Sequence, residues 1–180
     1  MLLARSIAFQ IAFFLNVAVI TVAFIPLFVL PRRAGVEPMK LWARSSLFWL
    51  RVICGTRIEV RGREHIPAQG ALIACKHQAA WETFALMPLM PDPAYILKRE
   101  LFYLPLWGWY ARKFGMIGID RSSGTKALSE IAEKGQAAID AGRQVIIFPE
   151  GTRTVPGAAP AYKNGTAHLY HRLDRPVGPG

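Results

Sequence analysis

The sequence predicts an α/β fold, a largely parallel sheet flanked by helices and preceded by N-terminal membrane-associated helices. Three observations carry this. Short apolar runs at 71–75, 94–97, 116–119 and 145–148 alternate with helical or turn-rich segments, as strands joined by crossover helices do. No charged residue occurs between Arg5 and Arg32. Lys and Arg number 22 against 12 Asp and Glu, a net charge of +10, which suits a polyanionic partner, either nucleic acid or an anionic membrane with phosphate-bearing substrates.

The 180 residues suit one domain with its own core. A hydrophobic fraction of 52% favours the membrane among polyanionic partners. A nucleic-acid partner is not expected, because the cations are dispersed and no binding module is present. Cys54 and Cys75 belong to no CxxC or Cys/His cluster, so neither a metal site nor a disulfide framework is expected.

Taken in order, the first element is the uncharged run at 6–31, which includes Ile7, Phe9, Phe13, Phe14, Leu15, Ile20, Phe24 and Leu30. Roughly 20 apolar residues cross a hydrocarbon core. A spanning helix and a re-entrant helix kinked at Pro26 both fit. Next, Pro38 suits the first turn of a helix and Gly55 its end. On that helix Lys40, Arg44 and Arg51 form one stripe, beside an apolar face of Leu41, Trp42, Phe48, Trp49, Val52 and Ile53. Such a helix suits an anionic lipid interface, or equally packing on the domain. Cations follow the first segment more than they precede it, which places the rest of the chain in the cytoplasm. Residues 1–55 are therefore expected to anchor the chain in the cell membrane, with the domain at 56–180.

The globular part opens with Ile58 and Val60 alternating with polar residues, as in a half-buried strand. The run at 71–75 reads as a buried strand, and 82–87 as a short helix stopped by prolines. The runs at 94–97, 116–119 and 145–148 complete the strands. Residues 125–141 read as a helix, with Leu128, Ile131, Ala138 and Ile139 to one side and Gly142 as its stop. Trp107, Trp109, Tyr103 and Tyr110 suit core packing, an acyl groove or the membrane interface.

Three strands end in chemically capable sequences: His77-Gln78-Ala79-Ala80-Trp81-Glu82, Gly118-Ile119-Asp120-Arg121 and Phe148-Pro149-Glu150-Gly151-Thr152-Arg153. Ligands gather at the carboxyl ends of strands in open α/β sheets. His77 and Glu82 can meet if the histidine sits in the strand-to-helix turn and the carboxylate in the first helical turn. The carboxylate would then fix the imidazole tautomer and leave the other nitrogen as a general base. A hydrogen-bonded surface histidine fits the pair alone equally well. Arg121 and Arg153 offer planar forks to a phosphate dianion. Glu150 suits either an orienting role or a buried ion pair. Lys98, Arg99 and Lys163 suit phosphate contacts or solvated surface charges.

Together with Lys98-Arg99-Glu100-Leu101, these ordered motifs resemble those of the glycerolipid acyltransferases, particularly the 1-acyl-sn-glycerol-3-phosphate branch. The resemblance runs from about residue 61 to 177. It implies a catalytic pair of His77 and Glu82. It also implies a substrate phosphate site of Arg121, Glu150, Gly151 and Arg153, with Lys98 and Lys163. The family pair is usually His-x4-Asp, where this chain carries Glu82. The implied reaction moves an acyl chain from acyl-CoA or acyl carrier protein to the sn-2 hydroxyl of a lysophosphatidate-like acceptor, with no cofactor. Related acceptors, glycerol 3-phosphate or another lysolipid, are alternatives, as is an inactive membrane-bound fragment. The family commonly continues with a further strand, which Pro176-Val177 resembles at its start, so the domain is expected to be incomplete at its C-terminal end. The absence of a G-x-S-x-G elbow argues against an acyl-serine route. Cys75, inside a strand, suits core packing rather than nucleophilic attack.

Overall fold

The computed structural model describes residues 1–120, 124–159, 161–173 and 177–179. Five strands form one sheet: β1 (Ala71–Ala74), β2 (Pro93–Lys98), β3 (Ile117–Ile119), β4 (Gln144–Ile147) and β5 (Val177–Pro179). Their spatial order is β3-β2-β4-β1-β5, and every pairing is parallel. Parallel strands need crossovers that cover both faces, which is why these strands are largely apolar rather than alternating, with Gln144 and Lys98 at strand ends. One face buries Leu72, Ala94, Ile117 and Val145 against Ile131, Ala138 and Ile139 of α5 (Gly124–Asp140) and Leu169 of α6 (Asn164–Arg172). The other buries Ala71, Ile73, Tyr95 and Ile146 with Cys75 and Met90.

The strand alternation expected around Ile58 and Val60 does not form a strand. Residues 56–62 have no regular structure, and both side chains are exposed. Alternation supplies a period, but a strand also needs a ladder partner, and this segment pairs with none of the described strands. In the globular part the remaining strand and helix expectations hold within two residues, whereas the first helix covers Leu2–Ala23 rather than the whole run at 6–31. The short helix is α3 (Glu82–Ala85), followed by a 3-10 turn at Met87–Leu89. The segment before β3 adds α4 (Trp107–Lys113).

The N-terminal segment is a helical hairpin. Helix α1 (Leu2–Ala23) ends before Pro26, and the chain turns through a 3-10 segment at Ile25–Val29. Helix α2 (Val36–Trp49) follows, with Glu37 in its first turn, where the helix dipole favours an anion. A wider turn at Leu50–Cys54 closes it, and Gly55 ends it at φ 75°, a left-handed conformation that glycine adopts without penalty. Asn16 ties the two helices, donating to Ser45 Oγ and Ser46 Oγ, each at 2.9 Å. Met39, Ala43, Ser46 and Leu50 form the buried stripe of α2 and its extension, spaced three and four apart. The expected cationic stripe is divided by this packing. Lys40 lies beside the buried stripe and is itself buried, 3.1 Å from Glu37, while Arg44 and Arg51 remain exposed. Trp42 also turns inward, with ring centroids 5.9 Å from Phe13 and 6.0 Å from Phe84.

The hairpin is locked to the sheet by a partly buried charge network. Arg32, just past α1, holds Asp92 through both guanidinium nitrogens at 2.8 and 2.6 Å. Arg143 joins from the start of β4 at 3.2 Å and donates to the carbonyls of Pro93, Phe114 and Gly115. Burial disfavours the Asp92 carboxylate, but the two guanidinium groups outweigh it and hold its pKa below the ordinary 3.8. The folded value is depressed, so this stabilisation is full above pH 3.8 and is lost as pH falls through the lower folded value. Arg143→Ala leaves Asp92 paired with Arg32 but removes a donor from three backbone carbonyls, and is expected to cost about 1–3 kcal/mol in denaturant unfolding. Asp92→Asn is expected to flatten the loss of stability on acidification below pH 3.8.

Candidate active site

The strand order places a reversal between β1 and β4. The chain leaves β1 towards β2 on one side and leaves β4 towards β5 on the other. The carboxyl ends of two such neighbours splay into a crevice. His77 follows β1, and the 148–154 segment follows β4, so two of the three motifs face each other there. Cys75 extends the ladder by donating to the Ile147 carbonyl at 3.0 Å.

Glu82 opens α3, and its carboxylate folds back over the preceding turn. It accepts from the backbone N–H of Gln78 at 2.8 and 3.1 Å and from that of Ala79 at 3.1 Å. The same carboxylate lies 3.2 Å from His77 Nδ1. A group already accepting on both oxygens meets Nδ1 as an acceptor, so the imidazole carries its proton on Nδ1 and leaves Nε2 with a free lone pair. The imidazole stacks on Phe148, centroids 4.3 Å apart at 28°. The two side chains are 17% and 18% exposed, open enough for a substrate atom to reach. The longer glutamate is accommodated because the turn at 78–81 brings its carboxylate under its own backbone amides.

On the β4 side, Glu150 is enclosed at 2% exposure. Its Oε2 accepts from the His77 backbone N–H at 3.2 Å and from Thr154 Oγ1 at 3.0 Å. The Thr154 N–H donates to the His77 carbonyl at 2.8 Å. Gly151 makes this return possible: at φ 67° it turns the chain within one residue, its N–H donating to the Phe148 carbonyl at 2.9 Å. Arg153 is exposed and has no hydrogen bond or ion pair among the described residues. Lys163 is exposed, and its backbone N–H ties the loop back to the Pro149 carbonyl at 2.9 Å. Lys98 ends β2, two strands from His77, and pairs with Glu100 at 3.1 Å. Arg99 pairs with Asp120 at 3.5 Å. Arg121 lies outside the described residues.

An apolar cavity of about 220 Å³ runs between the hairpin and the sheet. Its walls include Ile20 and Trp42 from the hairpin, Tyr95 and Leu97 from β2, Tyr110 from α4, and Thr83, the residue after Glu82. Of the aromatic residues considered from sequence, Trp107 and Tyr110 line it, whereas Tyr103 and Trp109 are exposed. Sequence reasoning missed Thr154 and the stacking role of Phe148. The signal for Thr154 was only its adjacency to the hexapeptide, since its partner lies 77 residues away.

Residues 57–180 match the family model described as Acyltransferase. The chain belongs to the acyltransferase family. It is 38% identical over 160 residues to the 1-acyl-sn-glycerol-3-phosphate acyltransferase of Pseudomonas aeruginosa, covering 88% of this chain and 62% of that protein. The human 1-acyl-sn-glycerol-3-phosphate acyltransferase alpha is 33% identical over 150 residues, 82% of this chain and 53% of the relative. A lyso-ornithine lipid O-acyltransferase of Pseudomonas aeruginosa is 32% identical over 68% of this chain and 47% of its own length. The chain thus spans about half to three-fifths of the length of these relatives. The fold is that of the crystal structure of the 1-acyl-sn-glycerophosphate (LPA) acyltransferase, PlsC, from Thermotoga maritima. The two superpose with TM-score 0.76 at 22% identity, over 99% of this chain and 75% of that one.

Beside this candidate site Cys75 is the nearest thiol to the crevice in sequence. It is buried, and burial together with the nearby Glu82 charge pushes its pKa up to about 11. The thiolate is the reactive form. Cys75 is therefore expected to resist thiol reagents at neutral pH until the chain unfolds, and Cys75→Ala is expected to keep the catalytic rate. Labelling by mass spectrometry, with and without denaturant, checks the first outcome.

Proposed function

We propose that the chain transfers an acyl group from a thioester donor, acyl-CoA or acyl carrier protein, to the sn-2 hydroxyl of 1-acyl-sn-glycerol 3-phosphate, forming phosphatidate. The observation that carries the reading is the His77–Glu82 pair at 3.2 Å, placed at the sheet's crevice and leaving Nε2 open. Family membership and the names of the relatives support it. In the reaction His77 Nε2 takes the hydroxyl proton as the oxygen attacks the thioester carbonyl. A tetrahedral oxyanion forms. Its collapse breaks the C–S bond, and the imidazolium returns the proton to the departing thiolate. Glu82 holds the tautomer throughout and stabilises the imidazolium. The apolar cavity beside Thr83 is the place for an acyl chain, since its walls are almost wholly carbon and aromatic. Arg153 is exposed, with no hydrogen bond or ion pair among the described residues, which suits it to the acceptor phosphate; Lys163, and from the sequence motifs Arg121 and Lys98, are further candidate cations. The lyso-ornithine lipid relative supports a second reading with a different lysolipid acceptor and the same chemistry.

The hairpin is the proposed membrane contact, with the domain on the cytoplasmic side of the cell membrane. Ile7, Ile11, Phe14, Val19, Phe48 and Val52 are exposed apolar residues of the hairpin. A 22-residue helix is about 33 Å long, enough to cross a bilayer. However, the Phe13 ring, near its middle, lies 5.4 Å from Phe84, two residues from Glu82. A perpendicular crossing would carry the catalytic helix to the bilayer centre. A hairpin embedded along one leaflet keeps α3 at the interface and meets an acceptor that never leaves the bilayer.

Two measurements test these readings. In a product assay in lipid vesicles, His77→Ala is expected to lower transfer by about 10²–10⁴-fold while the variant stays membrane-bound. Near-normal turnover would remove His77 from the mechanism. In membrane fractionation, high salt is expected to leave the chain in the pellet and detergent to release it, because salt screens charges but not apolar burial. Release by salt alone would make the contact electrostatic.

A further inference from the structure

Glu150 is a buried carboxylate without a cation: among the described residues no Lys or Arg lies within ion-pair distance of it. A buried charge held only by neutral donors costs stability, so its donors indicate its use. They are the His77 backbone N–H at 3.2 Å and Thr154 Oγ1 at 3.0 Å, both on the same oxygen, Oε2. Thr154 closes the ring from the other side. Its N–H donates to the His77 carbonyl at 2.8 Å, and its hydroxyl also lies 3.4 Å from that carbonyl. Both backbone polar groups of His77 are therefore held by the loop after β4.

We propose that Glu150 and Thr154 are a positioning pair that fixes the backbone of His77, and that Glu150 acts through this contact rather than on the acceptor phosphate. This inference rests on the acyl-transfer reading for its kinetic consequence, though not for its structural one. His77 is three residues past the end of β1 and five before Glu82, so nothing in regular secondary structure sets its position. Glu82 fixes the ring at Nδ1, and Phe148 supports its face. Without a backbone anchor, both contacts leave the imidazole free to shift along the crevice. A displacement of about 1 Å at a reacting group can cost about 10²-fold in rate. The anchor also couples two motifs: whatever the exposed Arg153 binds, the next residue in the chain holds the base. Electrostatics agrees with the geometry, because a carboxylate facing inward at 2% exposure is poorly placed to meet a phosphate dianion, which it would repel.

The test uses the full chain in detergent–lipid micelles, with 1-acylglycerol 3-phosphate and acyl-CoA or acyl carrier protein as substrates. Thr154→Val and Glu150→Gln are expected to lower kcat by about 10–10²-fold with KM unchanged for both substrates, and Thr154→Ser to recover most of the rate. Hydrogen exchange by mass spectrometry is the second readout. Both damaging variants should speed exchange in the peptide that carries His77 while leaving β4 protected. A raised KM for the acceptor with kcat kept would overturn the proposal and make Glu150 or Thr154 a substrate contact. Unchanged exchange at His77 would overturn it as well. If one variant unfolds, which loss of protection through β4 reports, the other two decide. If the wild-type chain transfers no acyl group, the functional reading fails, while the exchange comparison still decides whether the pair holds His77.

Discussion

The parallel pairing of β1 with β4 is the constraint on which the rest of the structure depends. It joins segments more than seventy residues apart, register Ala74 to Ile147, and it lies where the chain's winding reverses. The pairing aligns the ends of two strands to within a residue. His77 and Glu150 then emerge side by side, and the short loops beyond the strands need only local geometry to complete the site. The ladder bond from Cys75 to Ile147 carries the alignment one residue further towards His77.

Around this pair the site is assembled from backbone as much as from side chains. Glu82 is held by amides of its own preceding turn. His77 is held by the loop after β4. The Glu82 carboxylate and the His77 backbone are thus satisfied locally, and the imidazole edge faces outward. A preorganised site of this kind does not reorganise as charge develops during reaction. The thiol of Cys75 lies beneath the same crevice, and burial pushes its pKa up to about 11.

The hairpin is more than an attachment. Its α1 and α2 side chains supply one wall of the apolar cavity, and the sheet supplies the other. Asn16 with Ser45 and Ser46 sets the helix pair's register, and the Arg32–Asp92–Arg143 network fixes its base to the amino ends of β2 and β4. The cavity is therefore shaped by where the hairpin docks.

The amino-acid sequence by itself determined the α/β class, four of the five strands and the two long N-terminal helices, and its motif context brought His77 and Glu82 forward as a candidate pair. Those features depend on local apolar runs, caps and motif residues. It misled at Ile58 and Val60, where alternation occurs without a neighbouring strand, and at Lys40, where a cation shares a helix edge with the buried stripe. Only the tertiary structure decided the strand order, the cavity between hairpin and sheet, and the contacts of Glu150 and Thr154 with His77. Each of these depends on pairing between segments far apart in the chain, and such pairing leaves no period or spacing in the sequence that could be read beforehand.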